Sequence, residues 1–153
     1  MSAVEDRLAA LGQSLPELVP PAAAYVPAKR SGSHVWTAGQ VPMVDGSLPA
    51  VGKVGVEVTA EQAYELARMC ALNALAAVKS VVGDLDEVVQ VVKVLGFVAV
   101  DPSFTAISGV VNGASDLLVE AFGDAGRHAR SAIGVAALPL DSPVEVELVV
   151  EVR

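Results

Sequence analysis

Arg130-Ser131-Ala132-Ile133-Gly134-Val135-Ala136-Ala137, the break at Leu138-Pro139, and Val144-Glu145-Val146-Glu147-Leu148-Val149-Val150-Glu151-Val152 form the stretch that decides the fold. Successive side chains on a strand point to opposite faces. Val144, Val146, Leu148, Val150 and Val152 therefore share an apolar face, and Glu145, Glu147 and Glu151 share the other. In the preceding run Ile133 and Val135 are taken as the packed face, which sets Arg130 opposite, flanked at two-residue spacing by Ala132 and Gly134. If the two strands pair, an arginine with room around it faces a row of carboxylates. That arrangement is an anion site with a general base beside it.

Composition bounds the class. A chain of 153 residues suits a single domain with a sizeable core. The hydrophobic fraction is 53% against 18% charged residues, and the excess is Ala and Val rather than aromatics. An apolar sheet face of this kind needs a cover, so self-association is expected. The net charge of −8 argues against general nucleic-acid affinity, which needs clustered Lys and Arg. Two local basic groups remain, Lys29 with Arg30 and His34, and Arg127 with His128 and Arg130. The single cysteine, Cys70, precludes an intrachain disulfide, fits a reducing cytoplasm, and falls in an apolar helical pattern that reads as a buried structural thiol. No zinc-ligand spacing occurs, so no metal site is expected. The run Val88–Val100 is too short for a membrane helix and carries Gln90 and Lys93, so a soluble protein is expected.

Along the chain, residues 4–12 read as a short amphipathic helix, and 1–21 as an N-terminal extension to a domain over 22–153. Tyr25 to Lys29 and His34 to Gln40, joined by Arg30-Ser31-Gly32-Ser33, read as a hairpin. The prolines and glycines of Val41–Val58 make that stretch a loop. Thr59-Ala60-Glu61-Gln62 has the form of a capping box opening a helix that Gly83 closes. Glu87–Val100 is rich in β-branched residues and reads as an interior strand. A second helix is expected over about Ile107–Phe122 from apolar residues three, four and seven apart. The order β-β-α-β-α-β-β implies an α+β two-layer domain, two helices on one face of a mixed sheet. Its strand pairs are read as two hairpins.

Arg130 is the strongest candidate for ligand contact, because its planar fork matches a carboxylate at two points. An internal salt bridge to Glu145 or Glu147 is the competing role. A working carboxylate must sit in a partly dry pocket, and the residues alone do not separate the two glutamates. Tyr25 caps a pocket or packs on the sheet. Gly39, read within the strand Thr37-Ala38-Gly39-Gln40, implies a close approach to its backbone by a ligand or a neighbouring subunit.

The stretch Ala129-Arg-Ser-Ala-Ile-Gly-Val-Ala-Ala-Leu-Pro-Leu-Asp141, followed by Val144-Glu-Val-Glu147, resembles the C-terminal signature of the Rid proteins. These are the reactive-intermediate (enamine/imine) deaminases, also called YjgF-like or endoribonuclease L-PSP proteins. Trp36-Thr-Ala-Gly-Gln-Val-Pro42 resembles the family's N-terminal signature, with Tyr25 at the distance of its pocket tyrosine. The resemblance implies a chorismate-mutase-like fold, a homotrimer with clefts between subunits, and no metal or organic cofactor. It implies that Arg130 grips the carboxylate of a 2-imino or 2-enamino acid and that Glu145 positions the attacking water. Gly39, Ala38, Ala132 and Asn112 match pocket-lining positions. Ala38 stands where many members have serine, Ala132 where many have cysteine, Gly134 where a bulkier or acidic residue is frequent, and Asn112 one residue out of step with Arg130. These departures mark a divergent branch. Besides imine hydrolysis, two activities follow from the resemblance: carboxylate binding without turnover in a regulatory trimer, and ribonuclease action, which the acidic chain disfavours.

Overall fold

The protein is described here from a computed structural model covering residues 2–153. Helix α2 (Ala60–Val82) begins where Thr59 and Gln62 exchange side-chain-to-backbone hydrogen bonds, the capping box read from the sequence. It ends at Gly83, whose φ of +83° a side chain would resist. Helix α3 (Ile107–Phe122) stops at Gly123. Gly113 lets the two helices touch, since a Cβ there would stand 2.0 Å from the backbone oxygen of Tyr64. No helix among the described residues is long and apolar enough to cross a membrane.

Five strands form one sheet: β1 (Ala28–Ser31), β2 (His34–Thr37), β3 (Val88–Ala99), β4 (Ala129–Val135) and β5 (Val144–Val152). Their order is β1-β2-β5-β3-β4, and β3 with β4 is the parallel pair of the mixed sheet. The strand and helix order is the expected one, and α2 and α3 pack on one face. The first hairpin forms around Gly32. The alternation of β5 is realised fully: each valine and Leu148 on the even positions is buried, and the glutamates are on the opposite face.

The second hairpin does not form. β4 and β5 are separated by β3, because β4 follows β3 through α3 as a parallel crossover, and the connection Ala136–Pro143 carries the chain past β3 to its far side. The faces of β4 are also the reverse of the expectation. In register, Ile133 lies beside Phe97 and Phe97 beside Glu145, so Ile133 shares the helix-free face with the glutamates. Arg130, Ala132 and Gly134 lie beside Val94, Gly96 and Val98 on the face covered by helices. The reason is space. A Cβ on Gly134 would stand 2.7 Å from Ile107 and one on Gly96 2.6 Å from Val111, so α3 rides close over a strip of small residues and the branched side chains turn outward.

Helix α1 (Ala3–Ala10) covers one end of this layer. Ser2 caps it, Asp86 accepts the backbone N–H groups of Ala3 and Val4, and Val4 and Leu8 enter the same core as the sheet and helices. The residues read as an extension thus help to close that core.

Candidate functional site

Arg130 leaves the edge strand β4 on the helix side and meets α3. Its Nη1 donates to Asn112 Oδ1 at 2.8 Å and to Ser115 Oγ at 3.2 Å, while Nη2 lies 3.5 Å from the Ser108 carbonyl. Asn112 and Ser115 are three residues apart and so share one helix face. Arg130 makes no salt bridge among the described residues, so neither Glu145 nor Glu147 is its internal partner. Its Nε–H and one N–H of Nη2 likewise have no acceptor among them. Nε and Nη2 make up the side-on edge of the guanidinium, the edge that takes a carboxylate at two points, and its one contact there is the long one to Ser108.

Behind Ser115 stands His128, two residues before Arg130. Its Nδ1 is 2.6 Å from the Gly126 carbonyl and its Nε2 2.9 Å from Ser115 Oγ. The half-buried ring has its pKa held below the ordinary histidine value by burial and by the Arg130 charge, against the pull of the Gly126 carbonyl. The trio Arg127, His128 and Arg130 is therefore no basic patch: Arg127 turns to Asp124, and the other two turn to α3.

Glu145 lies elsewhere. It projects from the first turn of the pleat of β5 into the helix-free face, beside Phe97 and two residues from Glu147. Burial, with the Glu147 charge added, pushes its carboxyl above the ordinary glutamate range. No donor among the described residues engages either carboxylate. Gly39 lies against it: a Cβ there would come 2.7 Å from Glu145 Oε1. β2 ends at Thr37, so Ala38 and Gly39 follow the strand rather than belong to it, and Gln40 rejoins the sheet through paired hydrogen bonds with Val146. The group approaching Gly39 is this chain's own glutamate. Ala38 donates to the Pro27 carbonyl, which keeps the Tyr25–Pro27 segment alongside, and the Tyr25 side chain is 60% exposed.

The candidate residues thus fall into two groups. Arg130, Asn112 and Ala132 occupy the β4–α3 edge, and Glu145 and Gly39 meet near the start of β5, with Ala38 next in the chain and Tyr25 exposed two residues before the Pro27 that Ala38 contacts. Within one protomer the arginine and the glutamate are on opposite faces of the sheet. The helix-free face also carries Trp36, 56% exposed, and Ile133, 42% exposed. Two surface cavities, about 590 Å³ beside Leu15, Leu18 and Lys79 and about 420 Å³ beside Tyr64 and Gly109, are lined by residues of neither group. Cys70 is buried, as expected, and its thiol is pushed up by burial and by Glu145. No cluster of metal-ligating side chains occurs among the described residues.

Sequence reasoning takes no account of Ser115 and places His128 only in a basic group with Arg127 and Arg130. The signals were present: Ser115 is one turn from Asn112, and His128 shares the parity of Arg130 along the chain.

A sequence model described as "YjgF/chorismate_mutase-like, putative endoribonuclease" matches residues 5–152. The chain belongs to the YjgF family. Protein TCP17 of Trypanosoma cruzi is 43% identical to this YjgF-family chain over 151 residues, 98% of this chain and 94% of TCP17. A protein of unknown function from Agrobacterium tumefaciens has a crystal structure with a TM-score of 0.93 at 41% identity, covering 99% of this chain and 93% of that one. A second, described as a putative endoribonuclease from Shewanella oneidensis, gives 0.94 at 36% identity, with 97% and 99% covered. The α+β fold with helices on one face of a mixed sheet is that of the YjgF family.

Proposed function

We propose that this protein hydrolyses small 2-imino acids, and the 2-enamino acids that tautomerise to them, to 2-oxo acids and ammonia, as a homotrimer with its clefts between subunits. The observation that carries this reading is the posture of Arg130, held on α3 through Nη1 while its side-on edge carries only the 3.5 Å contact to Ser108. A substrate carboxylate on that edge fixes the orientation of the imine carbon, which supplies most of what so reactive a substrate needs. Glu145, partly desolvated and without a donor, takes a proton from water as the oxygen adds to the carbon of C=N. The protonated Glu145 carboxyl then gives that proton to the imine nitrogen, leaving a carboxylate once more and a carbinolamine. Its collapse forms C=O, expels ammonia, and returns the hydroxyl proton by way of the same carboxyl.

Because the two groups face opposite sides of one sheet, a cleft that uses both takes Arg130 from one protomer and Glu145 from the next. Covering the exposed Trp36 and Ile133 favours such an assembly. The test is ammonia release from freshly generated 2-iminobutyrate. We expect acceleration by the wild type and a loss of about 100-fold or more in kcat/KM for Arg130→Ala. Failure to accelerate the hydrolysis of any amino-acid-derived imine would overturn the reading.

Ala38 and Ala132 offer no side-chain polar atom, which favours a second version in which the trimer binds a carboxylate and turns nothing over. Equal carboxylate affinity in wild type and Glu145→Gln, with turnover in neither, would establish it. The charge of −8 and the dispersal of Arg127, His128 and Arg130 into separate contacts count against ribonuclease action.

A further inference from the structure

The geometry points to His128 as a positioning residue that, as the neutral ring protonated on Nδ1, locks the Arg130 guanidinium through Ser115. This rests on the carboxylate-gripping role proposed for Arg130 and adds to it the device that holds the fork in place.

The proton assignments follow from which atoms can donate. A carbonyl oxygen only accepts, so the 2.6 Å contact between Nδ1 and Gly126 puts a hydrogen on Nδ1. In a neutral ring Nε2 is then a bare lone pair, and the hydroxyl of Ser115 donates to it across 2.9 Å. With its hydrogen committed, Ser115 Oγ presents lone pairs, and Arg130 Nη1, which can only donate, delivers a hydrogen to one of them at 3.2 Å. Every hydrogen from the Gly126 carbonyl to Arg130 is thereby directed one way.

Protonation of the ring reverses this order. Nε2 becomes a donor, Ser115 Oγ faces donors from both sides, and its own hydrogen has nowhere to go in the line. A second positive charge also appears beside Arg130. The charged groups around the ring do not relieve it: Arg130 faces it from β4, Asp116 on α3 is engaged by the Tyr64 hydroxyl, and Arg127 and Asp124 on the adjoining turn pair with each other. Lys93 on β3 reaches the Ser131 hydroxyl on the other face of the sheet. The locked arrangement therefore belongs to the neutral ring and loosens as pH falls below about 6.5, the unperturbed histidine value.

Nitrogen NMR of the whole protein tests this with or without a substrate. The ring should show the Nδ1–H tautomer, its titration should have a midpoint below 6.5, and the Arg130 Nε–H signal should shift with the same midpoint. Ser115→Ala should uncouple the two signals. Affinity for 2-oxobutyrate should fall about tenfold in Ser115→Ala and in His128→Leu. It should stay within about twofold in His128→Gln, whose amide can donate to Gly126 and accept from Ser115 without titrating. An Nε2–H tautomer, or an Arg130 signal blind to the titration of His128 in a folded protein, would overturn the inference. Should 2-oxobutyrate not bind the wild type, the role of Arg130 as carboxylate grip fails by itself, and the two NMR signals still decide the relay.

Discussion

The carboxylate of Glu145 rests against the bare backbone of Gly39, at a separation that leaves no room for a methyl group. Gly39 has no positive φ to satisfy, so the absence of a side chain serves the glutamate rather than the turn. Gly39→Ala should therefore push the carboxyl aside while leaving the backbone as it is. We expect a fall of about 10- to 100-fold in imine hydrolysis, the range that goes with a misplacement of about 1 Å. Thermal unfolding should change little.

Glu145 itself makes a prediction of opposite sign for stability and activity. A carboxyl whose folded pKa is raised favours folding below its unfolded value and opposes it as pH rises through the folded one. At pH 7 the native state carries this partly desolvated charge, so Glu145→Gln should raise Tm, and the gain should vanish toward pH 4. Imine hydrolysis by the same variant should drop by about 100-fold or more at pH 7, and the gap should narrow as falling pH protonates the wild-type carboxyl. Calorimetry at the two pH values and the ammonia assay check both halves.

Much of this fold is legible in the residues, and the places where it is not share one cause. The capping box at Thr59, the stop at Gly83, the period of α3 and the alternation of β5 are local signals, and each is realised. Strand order is not local. The connection Ala136–Pro143 reads equally well as a long hairpin loop or as a crossing over β3, and the crossing is decided by where α3 has already delivered β4. Bulk is a false mark of the packed face of β4. Ile133 and Val135 are the bulky residues, yet Ile107 and Val111 of α3 leave no room for even a Cβ at Gly134 and Gly96. Arg130 and Glu145 are visible in the sequence as individuals. Their placement on opposite faces is visible only in three dimensions.

Gly113 gives a test of that close helix contact. A methyl at its Cα would stand 2.0 Å from the Tyr64 backbone oxygen, which no rotamer change relieves, so α2 and α3 must separate. Gly113→Ala should destabilise the protein by about 2–3 kcal/mol, in the range of overpacked cores. Gly109→Ala, on the same helix with open space at its Cβ, should be neutral or slightly stabilising. Denaturant unfolding of the pair separates packing from helix propensity.

The opposition of Arg130 and Glu145 across the sheet has a consequence that mixing experiments read directly. If each cleft draws the arginine from one protomer and the glutamate from its neighbour, Arg130→Ala and Glu145→Gln trimers are each inactive for different reasons. Unfolding and refolding them together forms mixed trimers, in which some clefts join an intact Arg130 on one subunit to an intact Glu145 on the next. Activity should reappear, at a fraction of the wild-type level set by the random assortment of subunits. Recovery requires both a multimer and a shared cleft, because in a site built within one chain every protomer would still carry one lesion. Mixing without unfolding should restore little, which separates subunit exchange from any effect of concentration. Continued inactivity of refolded mixtures whose mass shows trimers would place both residues on one chain's site, against the geometry of β4 and β5.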